Sequence, residues 1–127
     1  MKIALDSSVI IDHLRGDPKA AAFFEAQIAG NAEFVSSMVI RTEVLAGMRP
    51  PEEAATRAFL GLILWEPVTE AESEVAGGLG RSHLPANQGI ETPDLLLAAV
   101  AQRLGADLKT MNIKHFAAMF PGLTAPY

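Results

Sequence analysis

Short apolar runs alternate along the whole chain with longer stretches in which apolar residues recur every third or fourth position. The first run, Ile3-Ala4-Leu5, reads as a strand ending at Asp6. Val9, Ile10, Ile11 and Leu14 then mark the buried face of a helix that Ser7 or Ser8 caps and Gly16 stops. Asp17-Pro18 supplies a cap and a first-turn proline for a second helix carrying Phe23, Phe24 and Ile28 and closed by Gly30. The pattern repeats at Phe34-Val35-Ser36-Ser37, a strand with a serine cap, followed by Val39, Ile40, Val44 and Leu45 at helical spacing up to Gly47.

Pro51-Glu52-Glu53 opens a further helix through Phe59 and Leu60, and Ile63 to Val68 reads as an extended stretch ending at Thr69. Thr69 with Glu72 three residues on predicts a capping box for the next helix, which Gly77, Gly78 and Gly80 should weaken toward its end. After an irregular Pro85 to Glu91, Thr92-Pro93 starts a strong helix from Asp94 to Leu104, stopped by Gly105. Asp107 to Thr110 reads as a strand. A short helix over His115 to Phe120 and an edge strand over Leu123 to Ala125 complete the pattern.

Strands alternating with helices of this length predict an α/β domain in three layers, α/β/α, around a parallel sheet of four to five short strands. At 127 residues the chain is one domain, 1–127, with no room for a second core. Half of its residues are hydrophobic, enough to fold. The absence of cysteine excludes disulfides and thiolate chemistry, and no apolar run spans the ~20 residues of a membrane helix. An early charge argues against a secretory signal, so the expected location is cytoplasmic. The net charge of -5 and the scattered Lys and Arg residues exclude a protein that coats nucleic acid by counterion release. Any contact with a phosphodiester must then be local and assisted by a cation.

Three acids carry the candidate chemistry. Asp6 follows the first strand, Glu43 lies in the helix after the second, and Asp94 opens the helix leading into the Leu108 strand. In a parallel sheet all three belong on the carboxyl rim, where α/β folds bind ligands. Glu43 is about 9 Å along its helix from Ser37, and helical side chains lean back toward the rim. Carboxylates gathered there repel one another unless hard cations neutralise them, and Mg²⁺ or Mn²⁺ prefer such oxygen ligands. Asp12, Glu52, Glu53, Glu70, Glu72 and Glu74 fit solvated helix faces. His13, His83 and His115 lack metal-ligand spacing and read as surface or packing residues, and the methionines, Trp65 and the phenylalanines read as core.

In its motifs the chain resembles the PIN-domain nucleases and, within them, the VapC-like toxins of toxin–antitoxin pairs. The resemblance rests on Leu5-Asp6-Ser7-Ser8-Val9-Ile10-Ile11-Asp12, on Ser37 with Glu43-Val44-Leu45-Ala46-Gly47, on Thr92-Pro93-Asp94-Leu95-Leu96-Leu97-Ala98-Ala99, and on Thr110-Met111-Asn112-Ile113-Lys114-His115-Phe116. It implies a Mg²⁺- or Mn²⁺-dependent endoribonuclease acting on RNA, inhibited by a cognate antitoxin and usually a homodimer. The catalytic and metal-holding acids would be Asp6, Glu43 and Asp94. Ser8 and Thr110 would orient Asp6 and the metal waters, with Asn112 contacting a water or the ion. Asn112 and His115 are neutral where relatives often carry a fourth acid, which leaves one or two ions open. Arg41 and Lys114, close in sequence to the rim, are the candidate phosphate contacts.

The competing readings are fewer. A haloacid-dehalogenase-like phosphatase needs a second aspartate where Ser8 stands, and a receiver domain needs an acid beside Asp6 and a phosphoacceptor where Val68-Thr69 stand. Both are disfavoured. The remaining alternative is a catalytically weak or inactive domain that keeps the fold as a protein-binding module.

Overall fold

In the computed structural model, which describes residues 1–127, the strands β1 (Lys2–Leu5), β2 (Glu33–Ser37), β3 (Ile63–Glu66) and β4 (Asp107–Lys109) form one parallel sheet in the order β3-β2-β1-β4. Helices α1 (Ser7–Leu14) and α2 (Pro18–Ala29) link β1 to β2, and α3 (Met38–Ala46) and α4 (Glu53–Leu60) link β2 to β3. The return to β4 runs through α5 (Glu70–His83) and α6 (Thr92–Leu104), and α7 (Ile113–Phe116) follows it. The chain thus steps outward from β1 to β3, then returns to the opposite flank of β1. Strand order reverses between β1 and β4, which opens a crevice at their carboxyl ends.

The core is continuous from the sheet into α6, where every residue from Asp94 to Ala101 is buried. Seven consecutive apolar residues there, Leu95 to Ala101, leave no solvent face, so this helix is the central packing element. No helix is long and apolar enough to cross a membrane.

Several expectations change. The expected capping box at α5 is half made: Thr69 Oγ1 accepts from the Glu72 amide at 3.1 Å, while the Glu72 carboxylate turns to Arg103 instead. Glu72, Ala76 and Gly80 form the buried stripe of α5, so Glu72 is 3 % exposed rather than solvated. The glycines do not shorten α5, which continues to His83. A Cβ at Gly80 would stand 3.1 Å from Leu95 Cδ1, so the missing side chain is what lets α5 close on α6.

The last helix is shorter and earlier than predicted, Ile113–Phe116. The fifth strand does not form. Phe120 to Thr124 instead flank Ala106 to Lys109 across a cleft, after a turn through Pro121 and Gly122 (φ +83°). Tyr127 folds back to donate to Asp12 at 2.7 Å, so Asp12 is not simply solvated. Met1, Met38 and Met111 are exposed, whereas Met119 is core. Phe24 and Phe59 are buried against His13, whose ring centroid lies 5.0 Å from that of Phe24 and 4.5 Å from that of Phe59, and Phe23 packs edge-on against Phe24.

Candidate active site

Asp6 sits at the reversal of strand order, the first residue past β1, and its amide donates to the Lys109 carbonyl of β4 at 3.1 Å. From the other flank Ser36 of β2 donates to the Leu5 carbonyl at 2.6 Å, a buried tie that the sequence reading missed. The strand ends and the helix begins without a spacer, so Asp6 itself caps α1, not Ser7 or Ser8: its Oδ1 accepts from the Ser7 amide at 2.8 Å. That frees the Ser8 hydroxyl to donate to Asp6 Oδ2 at 3.1 Å and to accept from the Met111 amide at 3.0 Å. Thr110 donates to the same Oδ2 at 2.6 Å and accepts from the Asn112 amide at 2.9 Å. Asp6 is 2 % exposed and has only neutral donors among these contacts.

Asp94, in the first turn of α6, is buried as well. Its Oδ2 accepts from the Glu91 amide at 2.9 Å and lies 3.0 Å from His115 Nδ1. Burial pushes its carboxyl above the ordinary range and the Asp6 charge adds to that push, against the Glu91 amide and the His115 ring, which pull it down. Glu43, on α3, is the most open of the three acids. Its carboxyl is still pushed up, first by partial burial and then by the charges of Asp6, Asp94 and Glu91, with the Ser7 hydroxyl pulling the other way. The three acids therefore lie in one another's field, although no three His, Asp or Glu side chains close into a ready-made cage for an ion.

The other predicted residues divide. Ser8 and Thr110 touch Asp6 directly, whereas Asn112 is exposed and enters the network through its backbone amide. Arg41 is half-buried on α3 and Lys114 exposed on α7, and neither is tied into an ion pair. His115, read from spacing as a surface or packing residue, is instead a partner of Asp94. The signal that could have found it is its place beside Phe116 in the last motif, on the segment that follows β4.

Residues 3–118 match the family model for the PIN domain. The chain belongs to the PIN-domain family. This PIN domain is similar to Ribonuclease VapC19 of Mycobacterium tuberculosis, at 41% identity over 123 residues that cover 97% of this chain and 98% of the relative. It is also similar to Ribonuclease VapC10 of the same organism, at 32% identity over 125 residues covering 98% and 92%. Among solved structures it superposes on a chain of a toxin-antitoxin complex from Klebsiella pneumoniae with a TM-score of 0.80, 25% identity and 98% coverage of both chains.

The donor set of this PIN domain fits a hard divalent cation. It offers carboxylates only, two of them on aspartates held by hydrogen bonds, and burial first and neighbouring acids second push two of the three carboxyls up. An open arrangement suits Mg²⁺, which binds through one or two carboxylates and keeps several waters.

Proposed function

We propose that this PIN domain is a divalent-metal-dependent endoribonuclease, the toxin of a toxin–antitoxin pair, with Mg²⁺ or Mn²⁺ held at the β1/β4 crevice by Asp6, Glu43 and Asp94. The observation that carries the reading is Asp6, a buried carboxylate among neutral donors, within the field of two further acids whose carboxyls are pushed up. The names of the relatives support it, since those at 41% and 32% identity are ribonucleases.

When bound, the ion supplies a Lewis acid that eases deprotonation of the attacking water and stabilises charge developing on the phosphate. The chain's own groups do the rest. Thr110 and Ser8 hold Asp6 Oδ2, so that Asp6 keeps one orientation at the mouth of the crevice. The Glu91 amide and His115 do the same for Asp94. Glu43, the most open of the three acids, is the carboxylate suited to take the proton of the water that adds to phosphorus. One P–O bond breaks, leaving a phosphomonoester and a free hydroxyl. Arg41 on α3 and Lys114 on α7, both free of ion pairs, are the candidates to meet backbone phosphates, which would keep recognition local in a chain of net charge -5.

The test is cleavage of a mixed RNA pool in Mg²⁺, Mn²⁺ or EDTA. Wild type should cut with either metal and stop in EDTA, and an Asp6→Asn, Asp94→Asn double variant should not cut. Equal behaviour of the two proteins would overturn the nuclease reading. The neutral Asn112 and His115 in the last motif, where a fourth acid would be expected, favour the protein-binding module as second reading. A folded wild type that cuts nothing with any metal, yet binds a short protein encoded beside it, would select that module. The antitoxin partner and a homodimer belong to the same proposal. Co-expression with the neighbouring short reading frame should yield a complex in which cleavage is suppressed.

A further inference from the structure

His115 stands on α7, far along the chain from Asp94, yet its Nδ1 is 3.0 Å from Asp94 Oδ2. The same Oδ2 accepts from the Glu91 amide at 2.9 Å. One carboxylate oxygen is thus met from two different elements, by the Glu91 amide as a hydrogen bond and by the His115 ring as a 3.0 Å nitrogen–oxygen contact, while no donor reaches Oδ1. Gly89, at φ +94°, lies behind the ring, where a Cβ would stand at an ordinary contact distance of 3.8 Å from both Cδ2 and Nε2 of the imidazole. The Cδ2–Nε2 edge therefore lies against the loop and the Nδ1 edge faces the acid.

An aspartate's terminal torsion is soft, and a single hydrogen bond leaves the carboxylate free to swing between one-oxygen and two-oxygen contact with a cation. Two donors on one oxygen remove that freedom. At Asp6, too, two donors, Thr110 and Ser8, meet on Oδ2, although there Oδ1 also accepts from the Ser7 amide. We infer that His115 is a positioning residue that presets Asp94 as a one-oxygen ligand, its Nδ1–H and the Glu91 amide holding Oδ2 and leaving Oδ1 free for a cation. This rests on the metal-site reading given above. The neutral residue at this place in the last motif is then a replacement of function: where a fourth acid would add a donor, His115 disciplines a donor already present.

The test uses the full chain without RNA and reads Mn²⁺ binding from the loss of the free-ion electron paramagnetic resonance signal. Asparagine places an amide N–H near the position of Nδ1, glutamine near that of Nε2, and alanine supplies neither. His115→Ala and His115→Gln should weaken Mn²⁺ binding by about tenfold or more, and His115→Asn should restore it close to wild type. Circular dichroism melting, run alongside, shows that each variant is folded. Should His115→Ala lose its fold beside the buried Phe116, the contrast of Asn with Gln decides alone. Wild-type affinity in His115→Ala, or Asn binding as weakly as Gln, overturns the inference while leaving the metal site standing. A wild type that binds no Mn²⁺, or an Asp94→Asn variant that binds as well as wild type, overturns the metal site itself and His115's role with it.

Discussion

Two acids in this PIN domain are buried to nearly the same degree, Asp6 at 2 % and Glu72 at 3 % exposure, and they are stabilised in opposite ways. Glu72 meets a permanent cation: Arg103 Nε lies 2.9 Å from its Oε2, and the same guanidinium reaches Glu66 at 3.4 Å. That cluster ties the end of β3 and the start of α5 to the end of α6, and leaves Glu72 Oε1 buried without a partner. Asp6 meets an amide and two hydroxyls, and its charged neighbours are acids. A buried carboxylate that folding has already neutralised contributes to the scaffold. One left with neutral donors and acidic neighbours is where, on the function proposed above, an exchangeable cation would be held.

The sharpest way to break the comparison is to remove the charge at each end. Asp6→Asn keeps an acceptor for the surrounding donors and deletes the charge, so metal-dependent RNA cleavage should fall by about 10²–10³-fold. The melting temperature measured in EDTA should hold or rise. Arg103→Met should do the reverse, because it strands the Glu72 charge. Losing one partner of a fully buried pair costs about 3–5 kcal/mol; with Arg103 44% exposed, about 2 kcal/mol is expected in denaturant unfolding. Cleavage per folded molecule should not change. A double variant, Glu72→Leu with Arg103→Met, should recover most of the loss.

The smallest effect concerns Glu43, and its sign separates the two regions. Its carboxyl is pushed above its ordinary value of 4.5, so the folded chain holds that proton more tightly than the unfolded chain. Unfolding free energy therefore declines as pH rises from that value through the raised one, and charged Glu43 costs stability at neutral pH. In EDTA at neutral pH, Glu43→Gln should be more stable than wild type by less than about 1 kcal/mol. The two proteins should converge as pH drops below the ordinary glutamate value. Denaturant titrations across that range check it, and a less stable variant at neutral pH would mean that burial and the neighbouring acids do not strain the charged Glu43.

The strand–helix alternation was legible because its causes are local: apolar runs, proline and glycine stops, and serine or aspartate caps. The common rim of Asp6, Glu43 and Asp94 followed from parallel topology alone. What the sequence hid are contacts between segments. Glu72 looks solvated until α5 docks on α6 and brings Arg103 to it. His115 looks ordinary until α7 folds back over the start of α6. Gly80 reads as a helix weakener until Leu95 occupies the space its side chain would need. The missing edge strand is the same lesson: Leu123 to Ala125 has strand-like composition, but the turn at Pro121 and Gly122 sets it beside the three-residue β4 without pairing.

The central claim is that the acid deficit at the β1/β4 crevice is met by a divalent ion. Anomalous scattering from crystals soaked in Mn²⁺ locates that ion directly. The expected peak is in contact with carboxylate oxygens of Asp6 and Asp94, with Glu43 beside it or one water away. A peak at Glu66 and Glu72 instead, or none at the crevice while Mn²⁺ binds elsewhere on the chain, would contradict it.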